Sequence, residues 1–187
     1  RSVIGVYDGL SRLLQTKILD GNSALVTETS YNAQGLVSQQ SLPHSINDAV
    51  QYTTSTYDSM GRPLVVTAPG NITTTTLYDG LKTIITDPNG NKTVQVSDRL
   101  GRLSYVQEFN GNNLYSTTQY TYDGADRLRK VIDGQFNVTE IVYDTLGRKI
   151  SMDDPDMGKW TYAYNALGQI ISQTDARGTI IQFEYDS

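Results

Sequence analysis

The sequence predicts an all-β fold: antiparallel β-hairpin repeats that form a long, twisted, curved sheet. Three observations carry the prediction. A tyrosine-aspartate pair recurs, with units starting at Tyr7, Tyr31, Tyr57, Tyr78, Ser97, Tyr122, Tyr143 and Tyr164, and Tyr185-Asp186 opens a ninth. The spacings are 24, 26, 21, 19, 25, 21, 21 and 21 residues, a period that marks stacked supersecondary units rather than one globular core. Apolar and polar residues alternate ahead of each Tyr, and turn residues punctuate the chain twice per unit.

The first strand of each unit ends at the repeat Tyr. Trp160, Tyr162 and Tyr164 share one face, with Thr161 and Ala163 opposite. Thr139, Ile141 and Tyr143 repeat the pattern, as do Thr179, Ile181, Phe183 and Tyr185. Period two is the signature of a strand, and Tyr and Thr suit its pleated, half-buried surface.

A turn follows the Tyr. Gly35, Gly61, Gly101, Gly147 and Gly168 stand three residues after the Asp or Asn. In the other three units that place holds Ser11, Lys82 or Asp126, and Gly9, Gly80 or Gly124 comes directly after the Asp. Each turn therefore has one Gly at one of two places. Two turn subtypes are expected, each using its Gly at positive φ, with the Asp or Asn side chain bonding backbone two residues on.

A second strand returns from the turn, as in Arg62–Thr67, Arg102–Val106, Arg148–Met152 and Gln169–Gln173. The far turn then closes the unit: Ala68-Pro-Gly-Asn71, Asp87-Pro-Asn-Gly90, Asp154-Pro-Asp-Met-Gly158 and Asp175-Ala-Arg-Gly178. Asp, Pro and Gly at the first, second and fourth positions fit a type I turn. Units of 24 to 26 residues need extra loop, one insertion lying at 42–48. Roughly sixteen strands at about 4.8 Å spacing would give a ribbon on the order of 75 Å, with the tyrosines as a ladder about 10 Å apart. We expect residues 1–187 to form a single array of about eight hairpin repeats, cut from a longer protein.

Composition narrows the function. The net charge is −5 and no basic patch stands out, so no nucleic acid is expected as partner. No run of about 18 apolar residues is present, so no membrane span is expected. Cysteine is absent, which removes disulfides and thiolate metal sites from this segment.

Residues that could carry chemistry have plainer assignments. Asp153–Asp156 offers oxygen ligands for Ca2+, but the loop pattern of an EF-hand is missing, and we read a solvated Asp-Pro turn. His44, the one histidine, follows Pro43 in the inserted loop with no nucleophile tied to it, and is read as a surface-loop residue. Asp8/Arg12, Asp58/Arg62, Asp98/Arg102, Asp123/Arg127 and Asp144/Arg148 share one spacing. They are read as local pairs across each turn, in preference to an anion-binding stripe of arginines. Trp160 and the Tyr ladder are read as packing groups. No catalytic residue, cofactor or metal is expected.

Tyr57-Asp-Ser-Met-Gly-Arg62 and Tyr143-Asp-Thr-Leu-Gly-Arg148, with Asp87-Pro-Asn-Gly-Asn91 for the far turn, resemble the YD repeat of the Rhs (rearrangement hotspot) superfamily along essentially the whole chain. The resemblance implies a β-sheet that spirals into a hollow shell, as in Rhs proteins, the B and C components of insecticidal toxin complexes, and teneurins. By that resemblance this chain is a fragment of a secreted or cell-surface shell wall that encapsulates or protects a polypeptide (toxin) cargo. The rest of the parent shell and the cargo would be its partners. The alternative is an adhesion module that binds cell-surface carbohydrate or protein. The aspartic self-cleavage segment that ends toxin shells is not present, and Asp154–Gly158 lies in the phase of a far turn.

The structural residues implied are those of the repeat turns: Tyr7, Asp8 and Gly9; Tyr57, Asp58, Gly61 and Arg62; Tyr78, Asp79 and Gly80; Asp98, Gly101 and Arg102; Tyr122, Asp123, Gly124 and Arg127; Tyr143, Asp144, Gly147 and Arg148; Tyr164 and Gly168. An array without capping repeats has open strand edges, so edge-to-edge self-association is also expected.

Overall fold

The computed structural model describes residues 1–21 and 23–186, all of them strand, turn or coil and none helical. No helix is therefore long and apolar enough to cross a membrane. The chain divides into two compact units, Arg1–Asp79 with Thr83–Lys92, and Gly80–Lys82 with Thr93–Ser187.

The first unit holds β1 (Ser2–Tyr7), β2 (Leu13–Asp20), β3 (Ser23–Tyr31), β4 (Val37–Ser41), β5 (His44–Ser45), β6 (Tyr52–Tyr57), β7 (Pro63–Ala68), β8 (Ile72–Asp79) and most of β9 (Lys82–Thr86). From β1 to β4 each strand pairs antiparallel with the next; β4 then pairs with β6, β6 with β7 and β7 with β8. The insertion does not hang as a loop. Its β5 folds back on β3, pairing His44 with Val26 and Ser45 with Leu25, and the Leu42 N–H donates to the Gln51 carbonyl at 2.8 Å to close the excursion.

The second unit holds most of β10 (Lys92–Ser97), then β11 (Leu103–Asn110), β12 (Asn113–Tyr122), β13 (Leu128–Ile132), β14 (Val138–Tyr143), β15 (Lys149–Asp154), β16 (Gly158–Tyr164), β17 (Ile170–Thr174) and β18 (Ile180–Gln182). From β11 to β18 every strand pairs antiparallel with its successor. The fold is the all-β hairpin array that the sequence predicts. The two strands beyond the predicted sixteen are β5, in the insertion, and β18, which opens the ninth copy.

The expected faces are present where neighbours cover them. In β16 Trp160, Tyr162 and Tyr164 are half-buried while Thr161 and Ala163 are exposed, and β14 alternates likewise. The core is thin: among the described residues only Val26, Val94 and Ser41 are buried.

Candidate functional site

Seven of the eight near turns share one geometry, set by the Asp or Asn after the Tyr position. In the Asp144 turn, the Asp144 N–H donates to the Arg148 carbonyl at 2.9 Å, and the Gly147 N–H to the Asp144 carbonyl at 3.0 Å. The Asp144 side chain accepts from the Leu146 and Arg148 N–H groups, both at 2.9 Å, and from Arg148 Nε at 2.6 Å. The turns at Asp8, Asp58, Asp98 and Asp123 repeat these bonds. In the Asn165 turn an amide pair, Asn165 Nδ2 to Gln169 Oε1 at 2.7 Å, replaces the ion pair.

Where the register is given, it shifts by one residue at the repeat Tyr of each such turn. Tyr143 faces Lys149 while Val142 faces Ser151, so Ile150 is the extra residue. The same β-bulge occurs at Tyr7, Tyr31, Tyr57, Tyr122 and Tyr164. A bulge bends its strand and re-aims a side chain.

The expectation of two Gly-based subtypes needs correction. Gly9 and Gly124 do not adopt positive φ. In their turns Ser11 at φ 61° and Asp126 at φ 62° take the left-handed place that Gly35, Gly61, Gly101, Gly147 and Gly168 fill elsewhere. Short polar side chains tolerate that region because they bond locally. Only the two-residue link Gly80-Leu81, with Gly80 at φ 59°, keeps a separate form.

Far turns use the same device, which the Asp-Pro-x-Gly reading missed. Asp87 accepts from the Asn89 and Asn91 N–H groups and from Asn91 Nδ2, and Asp133 does the same with Gln135 and Asn137. The signal was available as one Asp-x-x-x-Asn spacing matching Asp-x-x-x-Arg. Asp154 instead caps a shorter turn through the Asp156 and Met157 N–H groups and accepts from Thr139 Oγ1 at 2.7 Å. Among the described residues no group of three or more His, Cys, Asp or Glu side chains is placed to hold a metal.

The Asp–Arg pairs are local, as their spacing predicts. Each Arg also reaches the next repeat. The Arg12 guanidinium lies over the Tyr31 ring at 4.7 Å, Arg62 over Tyr78 at 4.1 Å, Arg102 over Tyr122 at 4.7 Å, Arg127 over Tyr143 at 4.9 Å and Arg148 over Tyr164 at 4.8 Å. Arg127 and Arg148 also donate to the Asp144 and Asn165 carbonyls at 3.2 Å. Arg102 bonds Asp126 of the next turn at 2.6 Å.

The tyrosines answer in the other direction. Tyr31 donates to the Leu13 carbonyl, Tyr57 to Val37, Tyr122 to Leu103, Tyr143 to Leu128, Tyr164 to Lys149 and Tyr185 to Ile170, at 2.7 to 3.0 Å. In each case the acceptor is the residue directly after the previous repeat's fifth turn position. Bulge, ion pair, stacked ring and phenol bond together clamp one repeat to the next. A bidentate or stacked guanidinium suits this work, and an ammonium does not.

Electrostatics follow the geometry. The Asp8, Asp58, Asp123 and Asp144 carboxyls lie below the ordinary Asp range, chiefly because the N–H of the Arg four residues on bonds them, with the guanidinium adding and partial desolvation opposing. For Asp98 the Arg102 guanidinium is the main cause.

The insertion builds a separate cluster. Glu28 accepts from Tyr52 at 2.6 Å and from Gln15 at 3.1 Å, while its N–H donates to buried Ser41 at 2.8 Å. The Tyr52 bond is the main cause that lowers the Glu28 pKa. His44 is not a simple surface-loop residue: it is half-buried in β5, its Nδ1 is 3.0 Å from the Ser45 carbonyl, and its Nε2 is shielded without a protein partner. Nothing in this cluster aligns a nucleophile with a base.

Residues 143–180 and 164–187 match the RHS repeat family model. No curated protein sequence matches the chain. Solved structures do match over 99% of it: TcdB2-TccC3 at TM-score 0.85 and 20% identity, TcdB2-TccC3-TEV at 0.84 and 19%, and a TccC3 variant of the Photorhabdus luminescens Tc holotoxin pore at 0.82 and 20%. The chain spans 12% of the length of each of those chains. At such identity the likeness establishes the fold.

Proposed function

From the match of residues 143–187 to the RHS repeat model and the fold shared with the Tc toxin structures, we propose that the chain is a structural wall segment of a large exported protein whose shell encapsulates or protects a polypeptide cargo. The observation that carries this reading is the repeated clamp. Five Arg and six Tyr residues at fixed repeat positions are engaged with a neighbouring repeat. These residues maintain a wall, and the turn residues from Tyr7 to Gly168 have that structural role. Paired strands leave few free edges and deny a protease the extended backbone it needs. No residue is assigned a catalytic part. The structural neighbours, TcdB2-TccC3 and the Tc holotoxin pore, support a wall in a toxin assembly.

The adhesion alternative would need the Tyr ladder open to ligand. The ladder phenols are occupied by backbone carbonyls instead, which favours the wall. Limited proteolysis of the parent protein tests the reading. A resistant shell that holds a releasable polypeptide is expected; digestion between repeats with no protected polypeptide would overturn it.

A further inference from the structure

The insertion is held on the array by little backbone. β5 is two residues long and covers Leu25 and Val26 of β3, beyond the stretch of β3 that pairs with β4. Side chains supply the rest. Ser41, buried, accepts the Glu28 N–H at 2.8 Å where a strand partner would stand. The Ser45 N–H donates to Asp48 Oδ2 at 3.1 Å, and the Ser45 carbonyl accepts the Asp48 N–H at 3.0 Å. His44 Nδ1 lies 3.0 Å from that same carbonyl.

This last contact fixes the tautomer. A carbonyl only accepts, so Nδ1 carries the proton and Nε2 is left with a lone pair. Nε2 is shielded from solvent and has no protein partner. A bare neutral acceptor there costs far less than an ionised donor. A second proton would place charge on an N–H that has nothing to donate to.

The surroundings do not supply an acceptor. His44 faces Val26 across the β5–β3 pair, and Val26 faces Lys17 of β2. Directly paired residues share a face, so the Lys17 ammonium lies on the side of the sheet that His44 occupies. Glu28 lies on that side two residues along β3, and its carboxylate is already taken by Tyr52 of β6 and Gln15 of β2. Asp48, in the excursion itself, is held by the Ser45 N–H. Among the described residues no ion pair involves His44. Glu28 attracts a protonated ring and Lys17 repels it, so neither charge replaces the missing hydrogen bond.

We propose that the insertion is a proton-sensitive latch: protonation of His44 releases β5 from β3 and bares the β3 edge at Leu25 and Val26, while the array behind it stays folded. A two-residue strand sits at the low end of local stabilities, so a small penalty suffices to open it. The array does not depend on β5, because β4 and β6 pair directly through Gln39–Thr54, Gln40–Thr53 and Ser41–Tyr52. Release frees Val26, 2% exposed in the closed form, and leaves unpaired strand edge, which is a template for pairing with another chain. In a shell this is a local change of the wall in mild acid, a setting that rests on the wall reading; the latch itself does not.

His44 is the only histidine, so its ring resonances report its charge without ambiguity. The test is NMR of the 187-residue chain from about pH 8 to about pH 5, where imidazole ordinarily changes charge, with hydrogen exchange corrected for the intrinsic rate. Amide protection across Leu25, Val26, His44 and Ser45 should fall about tenfold, with a midpoint that coincides with the His44 titration. Protection in β14 to β16 should not change. In His44→Phe, which keeps a ring and removes both nitrogens, the fall should disappear. Protection that stays flat in the wild-type chain, that rises as His44 gains its proton, or that falls at a different midpoint overturns the proposal. So does an equal fall in His44→Phe; should that variant not fold, the wild-type midpoints alone decide. A latch that opens in a chain whose parent shields no cargo would keep this device and remove the wall reading.

Discussion

Gly147 holds φ 84°, with Arg127 Nη1 3.4 Å from where a Cβ would sit, whereas Gly9 has ordinary φ and open space around it. Gly147→Ala is expected to destabilise the fold by about 1–2 kcal/mol. Gly9→Ala should change stability by no more than about 0.5 kcal/mol. Urea unfolding of both variants measures the difference, and equal losses would restore the two-subtype reading. Tyr143→Phe removes a phenol bond to the Leu128 carbonyl and is expected to cost about 1 kcal/mol. The need for a left-handed residue in each turn was legible in the sequence. Its occupant was not, because Ser11, Asp126 and Phe136 adopt that region without being Gly; their neighbours override the intrinsic preference.

Near and far turns differ mainly in the fifth side chain, Arg in the five Asp-led near turns and Asn or Thr at the far edge. Only the Arg is long enough to bond its own Asp and still lie over a ring of the following repeat. Arg148→Lys keeps the charge but loses the fork and the planar stack, and should cost about 1 kcal/mol, summing modest exposed ion-pair and cation–π contributions. If Arg148→Lys unfolds at the same urea concentration as wild type, the clamp is not what holds repeats together. The strands and their faces were legible, since period two is a local signal that survives in β14 and β16. The clamp was not, because Arg127 and Tyr143 lie 16 residues apart and meet only once neighbouring repeats are paired. The insertion was legible as extra length, and its return onto β3 as a two-residue strand was not.

With so thin a core, stability leans on turns and clamps, and these depend on ionised carboxylates. The Asp8, Asp58, Asp87, Asp98, Asp123, Asp133, Asp144, Asp154 and Asp175 carboxyls all lie below the ordinary Asp range, each accepting side-chain or turn N–H hydrogen bonds. A carboxyl lowered in the folded state contributes stability that is present above its unfolded pKa and lost as pH falls through the folded one. The chain should therefore hold its stability at neutral pH and lose it steeply below about pH 4. A pH series of thermal melts checks this, and a flat profile down to pH 2.5 would contradict it.

At the six near turns whose bulge is described, the partner of the repeat Tyr lies six residues on, as in Tyr7–Leu13, Tyr57–Pro63 and Tyr164–Ile170, and only the Gly80-Leu81 link is shorter. The far side is free to vary: a tight Asn110–Asn113 link, five-residue Asp turns, and the excursion at 42–48 that folds back without disturbing β4 and β6. Sequence drift therefore has one permissive margin and one forbidden margin. Foreign peptides grafted into far turns should be carried without loss of the array, while a single residue added to a near turn should break the stitch to the following repeat. Divergent lengths among related arrays would then accumulate mainly on the far side.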